Sequence, residues 1–376
     1  MEYPRNLEHI IQKNLFKGKV IVLYGARRTG KTTLVKELLR KSDVNGRYIN
    51  CDLQQYRTVL NTTDSVLLKD FIGNSNLVVL DEAQQIENIG MVLKIIADSF
   101  PNIQIIATGS SSFDLSNKVS EPLTGRSRKY LLMPISLEEL NQKYDLIALK
   151  SALPLYLRFG LYPQVITANG DEKPEEINDI SSNYLYRDML QFENIKKPDL
   201  IFNLLRAIAF QLGSECSYNE LAQLTNTNVH TVKRYVELLE KSFVIFRLNS
   251  YSRNLRKELN KSQKIYFYDT GIRNSIVQNF NDLLFRDDLG GLWENFCIAE
   301  RMKFNQNNRR FVNTYFWRTY DQKEIDYIEE IDGKLNCFEF KFNQKKTAFI
   351  PKEFVESYPN STFITISPDN FYDLIK

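Results

Sequence analysis

Gly25-Ala26-Arg27-Arg28-Thr29-Gly30-Lys31-Thr32 decides the reading of this chain, because it fits the pattern G-x-x-x-x-G-K-[ST] at every fixed position. It directly follows the apolar run Val20-Ile21-Val22-Leu23-Tyr24 and directly precedes the helix-like Thr33-Leu34-Val35-Lys36-Glu37-Leu38-Leu39. That strand, loop, helix order is the context in which glycines let a backbone wrap around phosphate oxygens at a helix N-terminus. Gly25, Ala26, Arg27, Arg28, Thr29, Gly30, Lys31, Thr32 and Thr33 are therefore the candidate nucleotide-binding residues. Lys31 is expected to reach the β- and γ-phosphates of ATP, and Thr32 to ligate Mg²⁺. The competing reading, an ordinary Gly-rich turn with a surface lysine, is disfavoured by that context.

Outward from the loop, Arg47–Asn50, Leu77–Leu80, Ile103–Ala107 and Lys129–Met133 read as further strands. Their near-continuous apolar character suits a parallel sheet covered on both faces. Leu77-Val78-Val79-Leu80-Asp81-Glu82 is an apolar strand ending in two acids. Asp81 is the candidate Mg²⁺ partner and Glu82 the candidate base for the attacking water. Thr108 and Ser110 follow another strand at the edge where a nucleotide sits in such a sheet, as sensors of the γ-phosphate or as plain turn residues. Thr124-Gly125-Arg126-Ser127-Arg128 offers Arg126 as a cation for the transferred phosphoryl group, in cis or from a neighbouring subunit. A solvated basic turn is the equal alternative.

Gly25–Thr32, Asp81-Glu82, Thr108-Gly109-Ser110 and Gly125-Arg126, followed by Pro134-Ile135-Ser136, resemble the archaeal-type P-loop ATPases of the AAA+ class. Members of that family carry a helical region, a winged helix and a C-terminal domain of unknown function. The resemblance covers nearly the whole chain, with Leu153–Pro163 and Tyr184–Asp188 matching more loosely. It implies ATP binding and hydrolysis.

Composition bounds the rest. A chain of 376 residues with 43% hydrophobic residues is long enough for two or three domains, each with a core. No stretch approaches the roughly 18 uncharged apolar residues of a membrane span. The start, Met1-Glu2-Tyr3-Pro4-Arg5, lacks a signal-peptide core, so the expectation is a cytoplasmic protein with no membrane partner. Cys51, Cys216, Cys297 and Cys337 are scattered, and the histidines are His9 and His230. Neither a disulfide framework nor a Cys/His zinc site can be assembled from them, so catalysis is expected to rest on carboxylates, Lys, Arg, hydroxyls and bound metal.

The net charge of +3 conceals an uneven distribution. Ser217-Tyr218-Asn219-Glu220 has the form of a capping box opening a helix, and a second helix runs from Val229 to Lys241. Together they read as a helix-turn-helix, with Phe243–Leu248 and Lys264–Tyr268 as wing strands. From Thr231 to Asn274 there are ten basic residues (Lys233, Arg234, Lys241, Arg247, Arg253, Arg256, Lys257, Lys261, Lys264, Arg273) and four acidic ones (Glu237, Glu240, Glu258, Asp269), so the local charge is 10 − 4 = +6. A stripe of that sign suits the phosphate backbone of DNA, with His230, Thr231 and Arg234 toward the groove. The alternative is a winged helix that packs on protein while its charges are solvated.

Asp332-Gly333 signals a two-residue hairpin between Ile325–Ile331 and Lys334–Lys341. Facing residues then sum to 665, which sets Asp326 opposite Glu339, with Lys341 on the same face. Two carboxylates and a lysine on one sheet surface are the composition of the PD-(D/E)xK nuclease core, where the acids hold Mg²⁺ and the lysine positions water. A helix over Leu292–Lys303 offers Glu294 or Glu300 as the usual first acid. Asp326, Glu339 and Lys341 are accordingly candidate catalytic residues, and Glu294, Asp326 and Glu339 candidate metal ligands. A structural cross-strand Glu-Lys pair in a non-catalytic binding module is the other reading, and a bulge would break the register.

The expected fold class is α/β: a P-loop AAA+-type parallel sheet over residues 1–136, a helical lid over 137–200, a winged helix-turn-helix over 201–275 and an α/β nuclease-like domain over 285–376. The expected function is Mg²⁺-dependent ATP hydrolysis coupled to DNA binding or processing, with a homo-oligomer left open. Two other classes fit the same motifs: a nucleotide-gated signalling or scaffold ATPase, and a transcription regulator that binds DNA without cutting it.

Overall fold

The computed structural model describes residues 2–109, 122–192, 198–252, 263–319, 321–343 and 349–376, and its chain divides into two compact units. The first is built mainly from Met1–Ile135. In it, α1 (Asn6–Gln12), β1 (Val20–Tyr24), α2 (Lys31–Arg40), β2 (Gly46–Asn50), α3 (Gln54–Leu60), α4 (Ser65–Ile72), β3 (Leu77–Asp81), α5 (Ile89–Ser99), β4 (Gln104–Gly109) and β5 (Ser127–Leu131) follow one another.

The five strands form one sheet in the order β2-β3-β4-β1-β5, and every pairing is parallel. β1, β3 and β4 are buried along their whole length. Alternation along β1 explains how one strand feeds two cores. Val20, Val22 and Tyr24 pack on one face with α4 and α5 residues such as Leu68 and Val92, while Ile21 and Leu23 pack on the other with Leu7, Leu34 and Leu38. The expected strands are all present, each within two residues of its expected limits.

The second unit contains most of Ser136–Lys376. Its helices are α6 (Leu137–Asn141), α7 (Leu146–Phe159), α8 (Pro163–Thr167), α9 (Lys173–Phe192), α10 (Pro198–Phe210), α11 (Tyr218–Leu224), α12 (Val229–Lys241), α13 (Thr270–Val277), α14 (Leu289–Asn307) and α15 (Lys352–Ser357). Pro154 lies inside α7 on an exposed position, where water can take the carbonyl its missing N–H leaves. Pro163 instead opens α8, at the position where a helix needs no donor.

The strands β6 (Glu215–Cys216), β7 (Ile245–Ser250), β8 (Gln263–Phe267), β9 (Asn313–Arg318), β10 (Glu324–Ile331), β11 (Lys334–Phe340) and β12 (Ser361–Ile366) make a single seven-stranded sheet, β12-β11-β10-β9-β7-β8-β6. The hairpin β7/β8 and the strands after α14 thus share one sheet, joined where Asn249 and Ser250 pair in parallel with Tyr315 and Phe316. The β10/β11 register runs from Ile331 opposite Lys334 to Tyr327 opposite Phe338, and both pairs sum to 665, as the hairpin arithmetic requires. A register shift does occur between Ile325 and Ile328, on the other side of β10, in its pairing with β9. The β10/β11 register is untouched by it. Among the described residues no helix is long and apolar enough to cross a membrane.

Candidate functional sites

The phosphate loop leaves β1 at Tyr24 and enters α2 at Lys31. Gly25 has φ 152°, and a Cβ there would lie 2.1 Å from the Leu132 carbonyl oxygen, so no larger residue fits. Gly30, at φ 97°, is the N-cap of α2 and supplies no side-chain cap, leaving the first-turn N–H groups facing the loop. Lys31 is buried, and its Nζ donates to the carbonyl oxygens of Gly25 and Ala26, each at 2.8 Å. Thr29 closes the loop from within, its hydroxyl donating to the Ala26 carbonyl at 2.9 Å. The Arg27 side chain is half-buried, while those of Arg28 and Thr33 are exposed.

Asp81 ends β3 beside this loop. Thr32 Oγ1 donates to its Oδ2 at 2.7 Å, and the Tyr48 hydroxyl donates to the same oxygen at 2.6 Å. The Thr108 hydroxyl donates to Oδ1 and accepts from the Glu82 N–H at 3.1 Å. Sequence reasoning brings Thr32 and Asp81 together correctly but misses Tyr48, whose signal is only that it alternates with Ile49 on β2. Thr108 is fully buried and held between Asp81 and Glu82, and Ser110 lies outside the described residues. Burial, with the Asp81 charge beside it, pushes the Tyr48 hydroxyl well above its ordinary value. Glu82 takes a left-handed backbone, φ 54°, and its carboxylate accepts from the Gln84 amide. A non-glycine residue in that region is held there by its surroundings.

Arg126 stands elsewhere. It precedes β5, whose Ser127 pairs with Val20 at the start of β1, whereas the phosphate loop leaves the end of β1. Its partner is Asp98, at 2.6 Å, and both side chains are exposed. A role in cis at the phosphate loop is therefore excluded by the direction of the strands.

The chain order β6, α11, α12, β7, β8 contains the expected helix pair. Ser217 caps α11 by accepting from Glu220 N, and Val232, Val236 and Leu239 are buried along α12. His230, Lys233 and Arg234 are exposed. Three of the ten basic residues counted in the stripe are engaged within the protein. Lys264 and Arg273 are buried, and Arg247 is paired with Glu240 at 2.5 Å. Arg253, Arg256, Lys257 and Lys261 lie outside the described residues.

A cleft of about 880 Å³ is lined by Glu294, Asp326, Lys341 and by Gly213, Gly290 and Gly291. Asp326 is buried and its Oδ2 accepts from Phe340 N at 2.8 Å. Lys341 Nζ donates to Glu339 Oε1 at 2.5 Å, while Glu339 Oε2 is buried with no hydrogen-bond partner. Burial, then the Glu294 and Glu339 charges, push the Asp326 carboxyl well above the usual range, against the pull of Lys264. Burial also raises Glu339, opposed by Lys341. Lys341 is itself raised, because its carboxylate neighbours outweigh burial.

Of the two candidates on α14, the structure selects Glu294. Its Oε1 accepts from Lys264 Nζ at 2.9 Å and from the Tyr266 hydroxyl at 2.5 Å. Glu300, six residues on and about 240° around the helix, instead accepts from Leu137 N and from Lys303, both at 2.6 Å. The three-acid metal site expected from Glu294, Asp326 and Glu339 is not assembled. Among the described residues no group of three His, Cys, Asp or Glu side chains could hold an ion, and Glu294 is turned to Lys264 and Tyr266. Lys264 reads in sequence as a wing residue; that it belongs to this cluster has no local signal. All four cysteines are free and buried.

A five-stranded parallel sheet, a glycine loop closing onto a helix N-terminus and an acid at the end of the strand opposite define a P-loop fold of AAA type. Residues 17–141 match the family described as an AAA domain. Two further matches are domains of unknown function, DUF8612 over residues 150–283 and DUF4143 over residues 289–371. The chain is 26% identical over 334 residues to an uncharacterized protein of Mycobacterium tuberculosis, covering 88% of this chain and 72% of that one. It is 27% identical over 326 residues to an uncharacterized protein of Methanocaldococcus jannaschii, covering 80% and 71%. Among solved structures, the Thermotoga maritima RuvB Holliday junction branch migration motor overlaps with 65% of this chain and 90% of its own, at 15% identity and a TM-score of 0.33. That likeness is too slight to bear on function.

Proposed function

We propose that the first unit binds ATP with Mg²⁺ and hydrolyses it, and that nucleotide state governs DNA binding or processing by the second. The observation that carries the ATP reading is the pair Thr32 Oγ1 and Asp81 Oδ2, 2.7 Å apart beside the phosphate loop. A hydroxyl and a carboxylate are the hard oxygen donors Mg²⁺ takes. Thr32 and Asp81 would hold the ion, which when bound neutralises charge on the phosphate oxygens. Lys31 exchanges the carbonyls of Gly25 and Ala26 for phosphate oxygens, and the first-turn N–H groups of α2 bind the same anion. Glu82 orients the attacking water and takes its proton. Lys31→Ala abolishes nucleotide binding and Glu82→Gln retains ATP without turnover; continued hydrolysis by the Lys31 variant sinks the assignment.

The DNA part rests on the element order α10, β6, α11, α12, β7, β8, that of a winged helix-turn-helix, with His230, Lys233 and Arg234 exposed on α12. Binding would weaken with salt, and Lys233→Ala with Arg234→Ala would flatten the slope by about two phosphates' worth of counterion release. Salt-insensitive binding counts against it.

The nuclease reading of residues 285–376 is supported by the order α14, β9, β10, β11, α15, β12, by Asp326 and Lys341 lining one cleft, and by Glu339 bonded to Lys341. Asp326 and the unpartnered Oε2 of Glu339 would hold a divalent ion, whose chemistry is to polarise the scissile phosphate. Lys341 then positions the attacking water. Incubation with Mg²⁺ or Mn²⁺ and several DNA forms, against Asp326→Ala, decides: identical traces leave a non-catalytic binding module. Stimulation of ATP turnover by DNA separates the whole proposal from a nucleotide-gated scaffold, which need not respond.

A further inference from the structure

We propose that Arg5 is a positioning residue for the phosphate loop, holding the Thr29–Gly30 peptide in the orientation that offers its N–H to a nucleotide phosphate. The inference rests on the ATP reading and assigns a role to a residue outside the glycine motif. Arg5 is 7% exposed and sits just before α1, far from the loop in sequence. Its Nη1 donates to the Thr29 carbonyl at 2.7 Å and its Nη2 to the Met133 carbonyl at 2.6 Å.

Across a trans peptide the carbonyl and the N–H point in opposite directions. Fixing the Thr29 oxygen on the arginine side therefore sends the Gly30 N–H to the other side, away from the guanidinium. Gly30 makes that restraint necessary. It stands at φ 97°, and glycine reaches several backbone regions at little cost, so this peptide can rotate where a residue with a Cβ would resist. A rotated peptide would present a carbonyl oxygen to the phosphate.

The second arm of the fork sets where the loop stands. Met133 adjoins Leu132, whose carbonyl oxygen lies 2.1 Å from the place a Gly25 Cβ would take. Both ends of the loop are thereby referred to the same two residues beyond β5, one by close contact and one through Arg5. A planar guanidinium spans the Thr29 and Met133 oxygens at once in a fixed fork, whereas a lysine offers a point charge on a flexible stem.

The test measures binding of a fluorescent ATP analogue with Mg²⁺, and the melting temperature with and without it, for the full chain, Arg5→Ala and Arg5→Lys. Both variants are expected to raise Kd about tenfold or more, as the loss of one charge-assisted hydrogen bond to the loop implies. Methylguanidinium added to Arg5→Ala restores part of the affinity. An arginine that merely supports the fold lowers the nucleotide-free melting temperature and leaves Kd unchanged in the folded protein. Should Arg5→Ala fail to fold, Arg5→Lys decides alone: a Kd within about twofold of wild type overturns the proposal. A wild-type chain that binds no nucleotide overturns the ATP reading and this proposal together; wild-type affinity in the Arg5 variants overturns this proposal only.

Discussion

Replacing Lys264 by methionine keeps a long unbranched side chain and removes one charge. The ammonium it removes is 2.9 Å from Glu294 Oε1 and also pairs with Glu324, on a residue only 1% exposed. Breaking a buried pair from one side leaves charge uncompensated and costs about 3–5 kcal/mol. Two carboxylates lose their lysine here, but Glu294 keeps the Tyr266 hydroxyl, Glu324 keeps Arg318 and both retain some access to water, so about 3 kcal/mol is the expected figure. For a unit of this size, 1 kcal/mol moves the melting temperature by about 2–4 °C, which gives a fall of about 6–12 °C.

Differential scanning calorimetry of wild type, Lys264→Met, Glu294→Gln and the double variant measures it. Because the loss is mostly uncompensated charge, Glu294→Gln should recover part of it in the Lys264→Met background while destabilising the wild type. The carboxylates outweigh burial and raise the Lys264 pKa, so its stabilisation is fully present below the ordinary lysine range and lost only as pH rises through the higher folded value. The penalty is therefore flat across neutral pH. A fall of less than about 2 °C, or two substitutions that simply add, would refute the electrostatic account.

Gly25→Ala forces a backbone shift against Leu132, and loss of nucleotide affinity with a destabilisation of about 1–3 kcal/mol is expected; unchanged affinity in a binding titration contradicts the close contact. Asp326 has a raised folded pKa, so its contribution to stability is fully present below the unfolded value and is lost as pH rises through the folded one. Asp326→Asn should then melt above wild type near neutral pH and converge with it toward pH ~4, as a series of melting curves would show. Thr108→Val removes the hydroxyl that joins Asp81 to the Glu82 N–H, and turnover should fall while nucleotide affinity changes little. Equal losses in both would place Thr108 in binding.

Much of the architecture was legible because its signals are local. A glycine pattern between an apolar strand and a helix specifies the phosphate loop, and the apolar runs of β1, β3 and β4 read correctly because strands buried on both faces carry no polar alternation. The register of β10 and β11 followed from Asp332-Gly333 alone, since a two-residue turn leaves one pairing. What failed depended on residues far apart in the chain. Counting charge from Thr231 to Asn274 treats Lys264 and Arg273 as surface residues, yet both are buried, Lys264 against carboxylates of α14 and β10. For Arg126 the cis role depended on strand direction, and the parallel pairing of β5 with β1 puts it at the end of the sheet away from the phosphate loop.

The sequence by itself determined the strand, loop and helix around Gly25–Lys31 and the β10/β11 register from Tyr327 opposite Phe338 to Ile331 opposite Lys334, because helix, strand and hairpin periods are set by neighbouring residues. Tertiary structure decided which glutamate of α14 reaches the C-terminal cleft, that β7 pairs with β9, that Arg5 bonds the Thr29 carbonyl and that Tyr48 bonds Asp81. Those contacts join segments separated by tens of residues, and nothing in a local pattern records which distant side chain will satisfy a buried carbonyl or carboxylate.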